Sequence, residues 1–198
     1  AKGKIEGAFL MGKTWNIPAD AVLPVRNKHK EQVMPLLEVL REQKQMRLRG
    51  SIYHRTQIDL TYNSNHIEGS RLTHDQTRYI FETNTIGVTD DSIKVDDIIE
   101  TVNHFRCIDF IIEHAMEKIS EGFIKELHFI LKSGTTDSNK DWFAVGDYKR
   151  LPNEVGGIET SLPECVAGDI KQLLKAYNAK KQKSFDDLLD FHHRFEQI

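Results

Sequence analysis

The distribution of proline most constrains what this chain can fold into. All five prolines lie in its outer parts, at positions Pro18, Pro24, Pro35, Pro152 and Pro163. Because proline removes a backbone donor and clashes with the preceding helical turn, it breaks helix interiors. The long stretch between the third and fourth prolines is therefore where uninterrupted helices can form.

The strongest helical pattern runs from residue 95 to residue 119. Its apolar positions step by threes and fours, and Asp96 and Asp97 lie near the positive end of the helix dipole. Comparable patterns elsewhere predict an irregular arm over residues 1–26 and then a series of helices. These predicted helices cover residues 27–49, 51–67, 73–82, 95–119, 123–132 and 164–178, and a last one begins at Ser184.

Local signals at the helix ends support these boundaries. Thr73 and Gln76 have the spacing of a capping box, and so do Ser184 and Asp187. Gly69 follows the second helix and can adopt the left-handed conformation that ends a helix at low energetic cost.

Only one segment has the pattern of β-structure. Residues 146–162 contain Gly156-Gly157 between short extended runs, the composition that a tight hairpin turn requires. The predicted fold class is therefore all-α, a helical bundle with one β-hairpin.

The composition argues against several classes of function. The 198 residues are 39% hydrophobic and 29% charged, with a net charge of −3, so the basic excess typical of nucleic-acid binding is missing. No apolar run approaches the roughly 18 residues needed to span a bilayer. The N-terminus lacks a convincing secretory signal. We expect a cytoplasmic protein whose cysteines, Cys107 and Cys165, are reduced.

The segment from Ser64 to Gly69 has an ordinary and a functional interpretation. Ser64 and Glu68 are four residues apart and share a helix face. The ordinary interpretation is a helix C-terminus with an exposed glutamate. A carboxylate is mildly unfavourable at that end of the helix dipole, which hints that Glu68 has a partner such as a guanidinium or a bound cation.

The same segment resembles the inhibitory motif of the Fic (filamentation induced by cAMP) family, in which Ser or Thr is followed after three residues by Glu. Further parts of the chain agree, in the order that the family has them. VDDIIETVNHFRCIDFI and IKELHFIL resemble its core helices, GDYKRLPNEVGGIETSLPECV its hairpin flap, and FDDLLDFHHRFEQI the helix that leads into the HPFx(D/E)GNGR loop. The resemblance covers residues 51–198, so we expect a Fic domain there and an arm with a helix over residues 1–50.

The resemblance also implies what lies beyond these residues. In the family, the next segment carries the catalytic histidine, the acidic residue that holds Mg²⁺ and the amides that cradle phosphates. The sequence stops at Ile198, so we expect no catalytic residue, no metal ligand and no tight ATP binding in this chain itself. His192 is expected to pack inward, and Phe195 and Ile198 to anchor the loop.

For the intact parent protein the resemblance implies a protein adenylyltransferase. Such an enzyme transfers AMP from ATP, with Mg²⁺, to a Ser, Thr or Tyr hydroxyl of a target protein. Glu68 would inhibit the enzyme by pairing with the last arginine of the catalytic loop, and Ser64 would steady Glu68. The flap would dock the target as an added strand; its expected residues are Glu154, Val155, Gly156, Gly157 and Ile158.

The same residues allow other interpretations. A zinc site at His192, His193 and Glu196 is disfavoured because neighbouring helical residues point about 100° apart and a further ligand is needed. Ser64 or Cys165 as a hydrolase nucleophile lacks the strand-to-helix turn that such motifs use. A non-catalytic helical interaction module on a Fic scaffold stays open. Homo-oligomers, a group other than AMP and a further DNA-binding domain also stay open.

Overall fold

The computed structural model describes residues 9–19, 21, 35–87 and 92–198. It divides into a unit of residues 1–35 and a unit of residues 36–198. In the first unit, Phe9–Met11 (β1) and Thr14–Asn16 (β2) form an antiparallel hairpin, so the prediction of a wholly irregular arm is wrong. Gly12 has a φ of 64° at the first position of the two-residue turn, a conformation that glycine adopts at low cost in hairpins.

The second unit is helical, as predicted. It contains one further hairpin, formed by Glu154–Val155 (β3) and Ile158–Glu159 (β4), and a short 3₁₀ turn, Thr136–Asn139. The helices are Leu36–Met46 (α1), Ile52–Ile67 (α2), His74–Thr83 (α3), Val95–His114 (α4), Glu121–Lys132 (α5), Pro163–Ala179 (α6) and Phe185–Glu196 (α7).

Both predicted capping boxes are present. Thr73 and Gln76 bond reciprocally at the start of α3, and Ser184 and Asp187 do so at the start of α7. Helix α1 is described from Leu36 onward; residues 27–34 of the predicted helix lie outside the described residues.

The predicted helix over residues 95–119 is too long. It ends at His114, because Ser120 adopts an extended conformation in which its hydroxyl caps α5 by accepting from Phe123 N at 3.1 Å. Ile119 thereby leaves the helix axis and packs on the core formed by α6. Periodicity alone missed this turn because the apolar spacing continues through it.

Helix α4 is the centre of the unit and packs against α1, α2, α3 and α5. Around it, one buried apolar cluster consists of Tyr53, Ile108 and Ile112, and a second consists of Leu72, Ile80 and Phe105. Phe81 packs on both clusters and so joins α3 to them. Burial of large aliphatic and aromatic side chains of this kind is the main favourable term in folding.

A third cluster joins α6 to α7. Its buried residues are Val166, Ile170 and Leu174, and the residues of α7 and beyond that pack on it are Phe191, Phe195 and Ile198. The prediction that His192 packs inward is wrong, since its side chain is 69% exposed. Residues 191, 195 and 198 follow the helical period, and position 192 lies about 100° away from that stripe.

The two cysteines are free thiols on separate helices, Cys107 buried and Cys165 exposed. Burial raises the pKa of the Cys107 thiol to about 11, which keeps it protonated and unreactive. Among the described residues, no helix combines the length and the apolar character that crossing a bilayer requires.

We predict that Gly146→Ala destabilises the protein more than Gly50→Ala. Both glycines have positive φ, 72° and 71°, but only at Gly146 would a new Cβ lie 2.9 Å from the Cβ of Phe129. Backbone strain together with overpacking should lower the free energy of unfolding by about 2–4 kcal/mol for Gly146→Ala, against about 1 kcal/mol for Gly50→Ala. Urea unfolding followed by circular dichroism measures both, and equal losses would contradict the packing argument.

Candidate functional site

The tip of α2 carries the predicted inhibitory motif. Gly69 has a φ of 90°, and its amide donates to the His66 carbonyl at 3.1 Å while the Ser70 amide donates to the Asn65 carbonyl at 2.9 Å. This pair of bonds is a Schellman motif, which ends a helix with a left-handed residue. The motif holds Glu68 at the C-cap position of the helix.

Glu68 is exposed at this tip. Its amide donates to the Ser64 carbonyl at 3.3 Å, but its carboxylate has no ion pair or side-chain hydrogen bond within residues 35–87 and 92–198. The half-buried Ser64 hydroxyl likewise makes no bond to that carboxylate in the same ranges. The roles of Ser64 and Glu68 in inhibition therefore stay predictions, and the carboxylate is positioned to accept a partner from outside these residues.

A row of buried polar side chains joins α2 to α4, and sequence reasoning missed it. Gln57, Thr61 and Asn65 follow one another at intervals of four residues, and they are 0%, 0% and 8% exposed. Residues four apart share a helix face, so these three form a continuous polar stripe, which we call the polar ladder. The sequence pattern that could have predicted this stripe is the four-residue spacing of Gln, Thr and Asn on a helix that packs against the core.

Each member of the polar ladder has a partner on α4. The Gln57 amide nitrogen donates to Asp109 Oδ1 at 2.8 Å, Thr61 Oγ1 lies 2.9 Å from His104 Nδ1, and the Asn65 amide nitrogen donates to Thr101 Oγ1 at 3.0 Å.

These bonds fix the position of α2 along α4. A satisfied hydrogen bond contributes only about 1 kcal/mol net, whereas a buried polar group without a partner costs about 1–3 kcal/mol. A shift of α2 by one turn would separate all three members of the polar ladder from their partners. The polar ladder therefore determines where the tip, with Glu68, lies relative to the core.

The second predicted element, the flap, is the hairpin of β3 and β4. Val155 pairs with Ile158 and Glu154 with Glu159, and the turn residues Gly156 and Gly157 have φ of 60° and 79°. Two positive φ values are those of a type I′ turn, which matches the twist of a hairpin. The hairpin predicted from Gly156-Gly157 is thus confirmed.

The residues of the hairpin are exposed. The side chains of Val155 and Ile158 are 48% and 63% exposed, and within the described chain each strand pairs only with the other. Both outer edges are therefore free to hydrogen-bond with an extended peptide. A two-stranded hairpin is marginal by itself, so its stability depends on how its base is held.

Lys149 holds that base. Its ammonium donates to Asn153 Oδ1 at 2.6 Å, to the Thr160 hydroxyl and to the Ile198 carbonyl at 2.7 Å. Partial burial lowers its pKa. The Ser161 amide adds a bond to the Gln197 carbonyl at 3.0 Å, so the hairpin is tied directly to the end of α7.

The structure thus ties the flap to the end of α7, and the tip of α2 to α4. No hydrogen bond or ion pair joins residues 64–69 to residues 154–159 in the described chain. His192 Nε2 lies 3.1 Å from Glu196 Oε1, but nowhere among the described residues do three His, Cys, Asp or Glu side chains converge. We therefore assign no metal-dependent step to the described residues.

The solved structures that are similar to this chain include two Fic proteins. One is a Fic domain containing signaling protein from Bacteroides thetaiotaomicron, with a TM-score of 0.54, 25% identity and coverage of 72% of this chain and 56% of that one. The other is a Fic family protein from Desulfovibrio desulfuricans, with a TM-score of 0.58, 18% identity and coverage of 81% and 48%. No family model and no curated protein matches the sequence.

These comparisons confirm the resemblance to the Fic family and the Fic-type helical fold. The chain spans about half the length of the solved proteins that it matches. The activity of a whole protein, its substrates and its partners are therefore matters for a proposal.

We predict that the protein loses stability as the pH falls from 7 to 5. Burial lowers the pKa of His104, which bonds to Thr61, and also that of His128. The unfolded chain then binds protons more readily than the folded one. As the pH drops below the ordinary histidine pKa of about 6.5, the free energy of unfolding therefore decreases, by at most about 1.4 kcal/mol per pH unit for each group.

Denaturant unfolding at several pH values measures this loss. His104→Gln should flatten the pH dependence, while His193→Gln, at an exposed position of α7, should leave it as in the wild type. An unchanged slope in His104→Gln would show that Thr61 and His104 do not carry the effect.

Proposed function

We propose that this chain is the regulatory and target-docking part of a protein adenylyltransferase, which transfers AMP from ATP to a Ser, Thr or Tyr hydroxyl of another protein. The observation that carries the proposal is the Fic-type fold, in which residues 64–69 form the capped tip of α2 and residues 154–159 form an open-edged hairpin.

The transfer step itself is assigned to the whole protein. The 198 residues contain no HPFx(D/E)GNGR sequence. Residues 7–14, GAFLMGKT, match the spacing GxxxxGK(S/T), but Phe9–Met11 pairs with Thr14–Asn16 in a hairpin instead of leading into the helix that a phosphate loop requires. Nucleotidyl transfer depends mainly on in-line positioning and on charge stabilisation at the phosphates. The residues described above would contribute by admitting or obstructing the nucleotide and by presenting the acceptor hydroxyl.

Obstruction is the role proposed for Glu68. Its carboxylate is exposed and without a partner among the described residues, while the polar ladder and the Schellman motif fix its position. A carboxylate about 4 Å from a phosphate repels it by roughly 4 kcal/mol at an effective dielectric constant near 20. Pairing with an arginine of the catalytic loop would also remove a charge-assisted partner from the nucleotide.

Docking is the role proposed for the hairpin. An extended segment of a target can add as a further strand to a free edge, which positions its hydroxyl through main-chain hydrogen bonds. The bonds from Lys149 and Ser161 to the end of α7 would keep that added strand in a constant relation to the catalytic loop.

We predict that Glu68→Gly in the full-length protein increases AMP transfer from ATP to itself and to targets by at least about tenfold. The reason is that removal of the carboxylate abolishes both the repulsion and the competing ion pair, and each 1.4 kcal/mol corresponds to about tenfold. Labelling with radioactive ATP, α-³²P-labelled, measures the transfer.

Glu38→Gln, at an exposed position of α1, is the matched control and should label like the wild type. Equal labelling by Glu68→Gly and wild type would remove the inhibitory role. A full-length protein that neither binds nor transfers nucleotide in either form would instead favour a non-catalytic helical interaction module.

We predict that Ile158→Pro lowers target modification about tenfold while ATP binding stays nearly unchanged. Proline removes a backbone donor beside the hairpin turn and so disrupts the strand on which the target docks. The measurements are target labelling and nucleotide titration on the same preparation.

Ile158→Thr keeps the backbone donor and a β-branched side chain, so it should retain most of the modification. Undiminished modification by Ile158→Pro would exclude docking on this strand. If ATP binding is also lost, the variant reports a folding defect.

A further inference from the structure

A cavity of about 650 Å³ lies between the connection of α1 to α2 and the helices α3 and α4. Its volume is within the range of small-molecule sites. It lies at the beginning of α2, about 24 Å from the tip, since the helix has 16 residues with a rise of about 1.5 Å each. It is therefore separate from the proposed regulatory tip and from the hairpin.

The floor of the cavity is aromatic. Tyr53 and Phe81 meet edge to face with ring centroids 6.3 Å apart, and His54 lies 5.7 Å from the Phe81 ring. Tyr53 is only 7% exposed, so its position is fixed by the core. Such a floor offers ring faces and edges against which a planar group can pack.

The charged groups of the floor already have partners. His54 Nε2 lies 2.9 Å from Glu82 Oε1, and Asp109 interacts with Lys44 at 3.4 Å and accepts from the Tyr53 hydroxyl at 2.8 Å. Both carboxylates are therefore hydrogen-bonded within the floor, and Asp109 also lies beside the ammonium of Lys44.

The rim, in contrast, presents two arginines. Arg47 and Arg49 line the cavity and are exposed, and within the described residues neither has an ion pair. A guanidinium without a partner at the edge of a cavity is suited to a carboxylate or a phosphate, which it can bind through two parallel hydrogen bonds.

Arg47 also occupies a backbone position that favours glycine. Its φ is 50°, and the bonds from its amide to the Lys44 carbonyl and from the Leu48 amide to the Gln43 carbonyl, both at 3.2 Å, form a Schellman motif. At the equivalent position after α2 the chain has Gly69. The backbone conformation at position 47 therefore gives no reason for an arginine there, and the Arg47 side chain is available to contact a ligand in the cavity.

We infer that this cavity binds a small aromatic anion. The ring of the ligand lies on Tyr53 and Phe81, and its phosphate or carboxylate is held by Arg47 and Arg49. The inference rests on the cavity alone and is independent of AMP transfer.

Phenyl phosphate is the probe. Phenol, which has only the ring, and inorganic phosphate, which has only the anion, are the controls. We expect it to shift the amide resonances of Leu48, Tyr53 and Phe81 in a titration followed by NMR, and to bind at least about tenfold more tightly than either half, because ring and anion contribute together. Equal affinity of inorganic phosphate would mean that only surface charge is involved and would overturn the inference.

Arg47→Gly separates binding from folding. Glycine is favoured at this backbone position, so Tm should stay the same or rise, whereas the affinity for phenyl phosphate should fall about tenfold with the loss of a charge-assisted contact. Arg49→Gln should weaken binding in the same direction. Arg55→Gln, on the exposed side of α2 and outside the cavity lining, should leave it unchanged.

Two results would overturn the inference. One is the absence of resonance shifts at the cavity at saturating phenyl phosphate. The other is binding that Arg47→Gly and Arg49→Gln leave intact, since the anion would then be held elsewhere.

Discussion

The hydrogen-bonded interface between α2 and α4 is the constraint on which the arrangement of the helical unit depends. An apolar interface tolerates sliding, because one methyl group replaces another. The polar ladder of Gln57, Thr61 and Asn65 does not, because each of its members is buried and hydrogen-bonds to a specific side chain of α4. The apolar clusters around α4 supply most of the stabilisation, and the polar ladder selects one register.

That register has consequences at both ends of α2. At its C-terminus it places Glu68, on which the proposed inhibition depends. At its N-terminus it places Tyr53 and His54 in the floor of the cavity that we propose as a binding site for an aromatic anion. The two sites therefore share one helix. The hairpin has a different support, since Lys149 ties its base to the end of α7.

Much of the fold could be predicted because its signals are local. Capping boxes at Thr73 and Ser184 and the hairpin at Gly156-Gly157 depend on residues within a few positions of one another. The errors occurred where local signals compete. The end of the predicted helix over residues 95–119 was set by the cap of the next helix, and the first hairpin depended on Gly12 in a segment with no other β signal. The inhibitory roles of Ser64 and Glu68 came from a family resemblance and stay predictions.

The sequence by itself determined the helical class, the positions of most helices and the presence of a glycine turn. These features depend on the periodicity of hydrophobic residues and on backbone propensities, which involve only residues close together in the sequence. Only the tertiary structure decided which polar residues are buried against one another. The side chains of Thr61 and His104 lie 43 positions apart in the sequence, and the Lys149 ammonium and the Ile198 carbonyl lie 49 positions apart. No local sequence pattern predicts that these groups meet. A buried hydrogen bond requires two groups to meet at about 3 Å, and only the packing of complete helices brings them there.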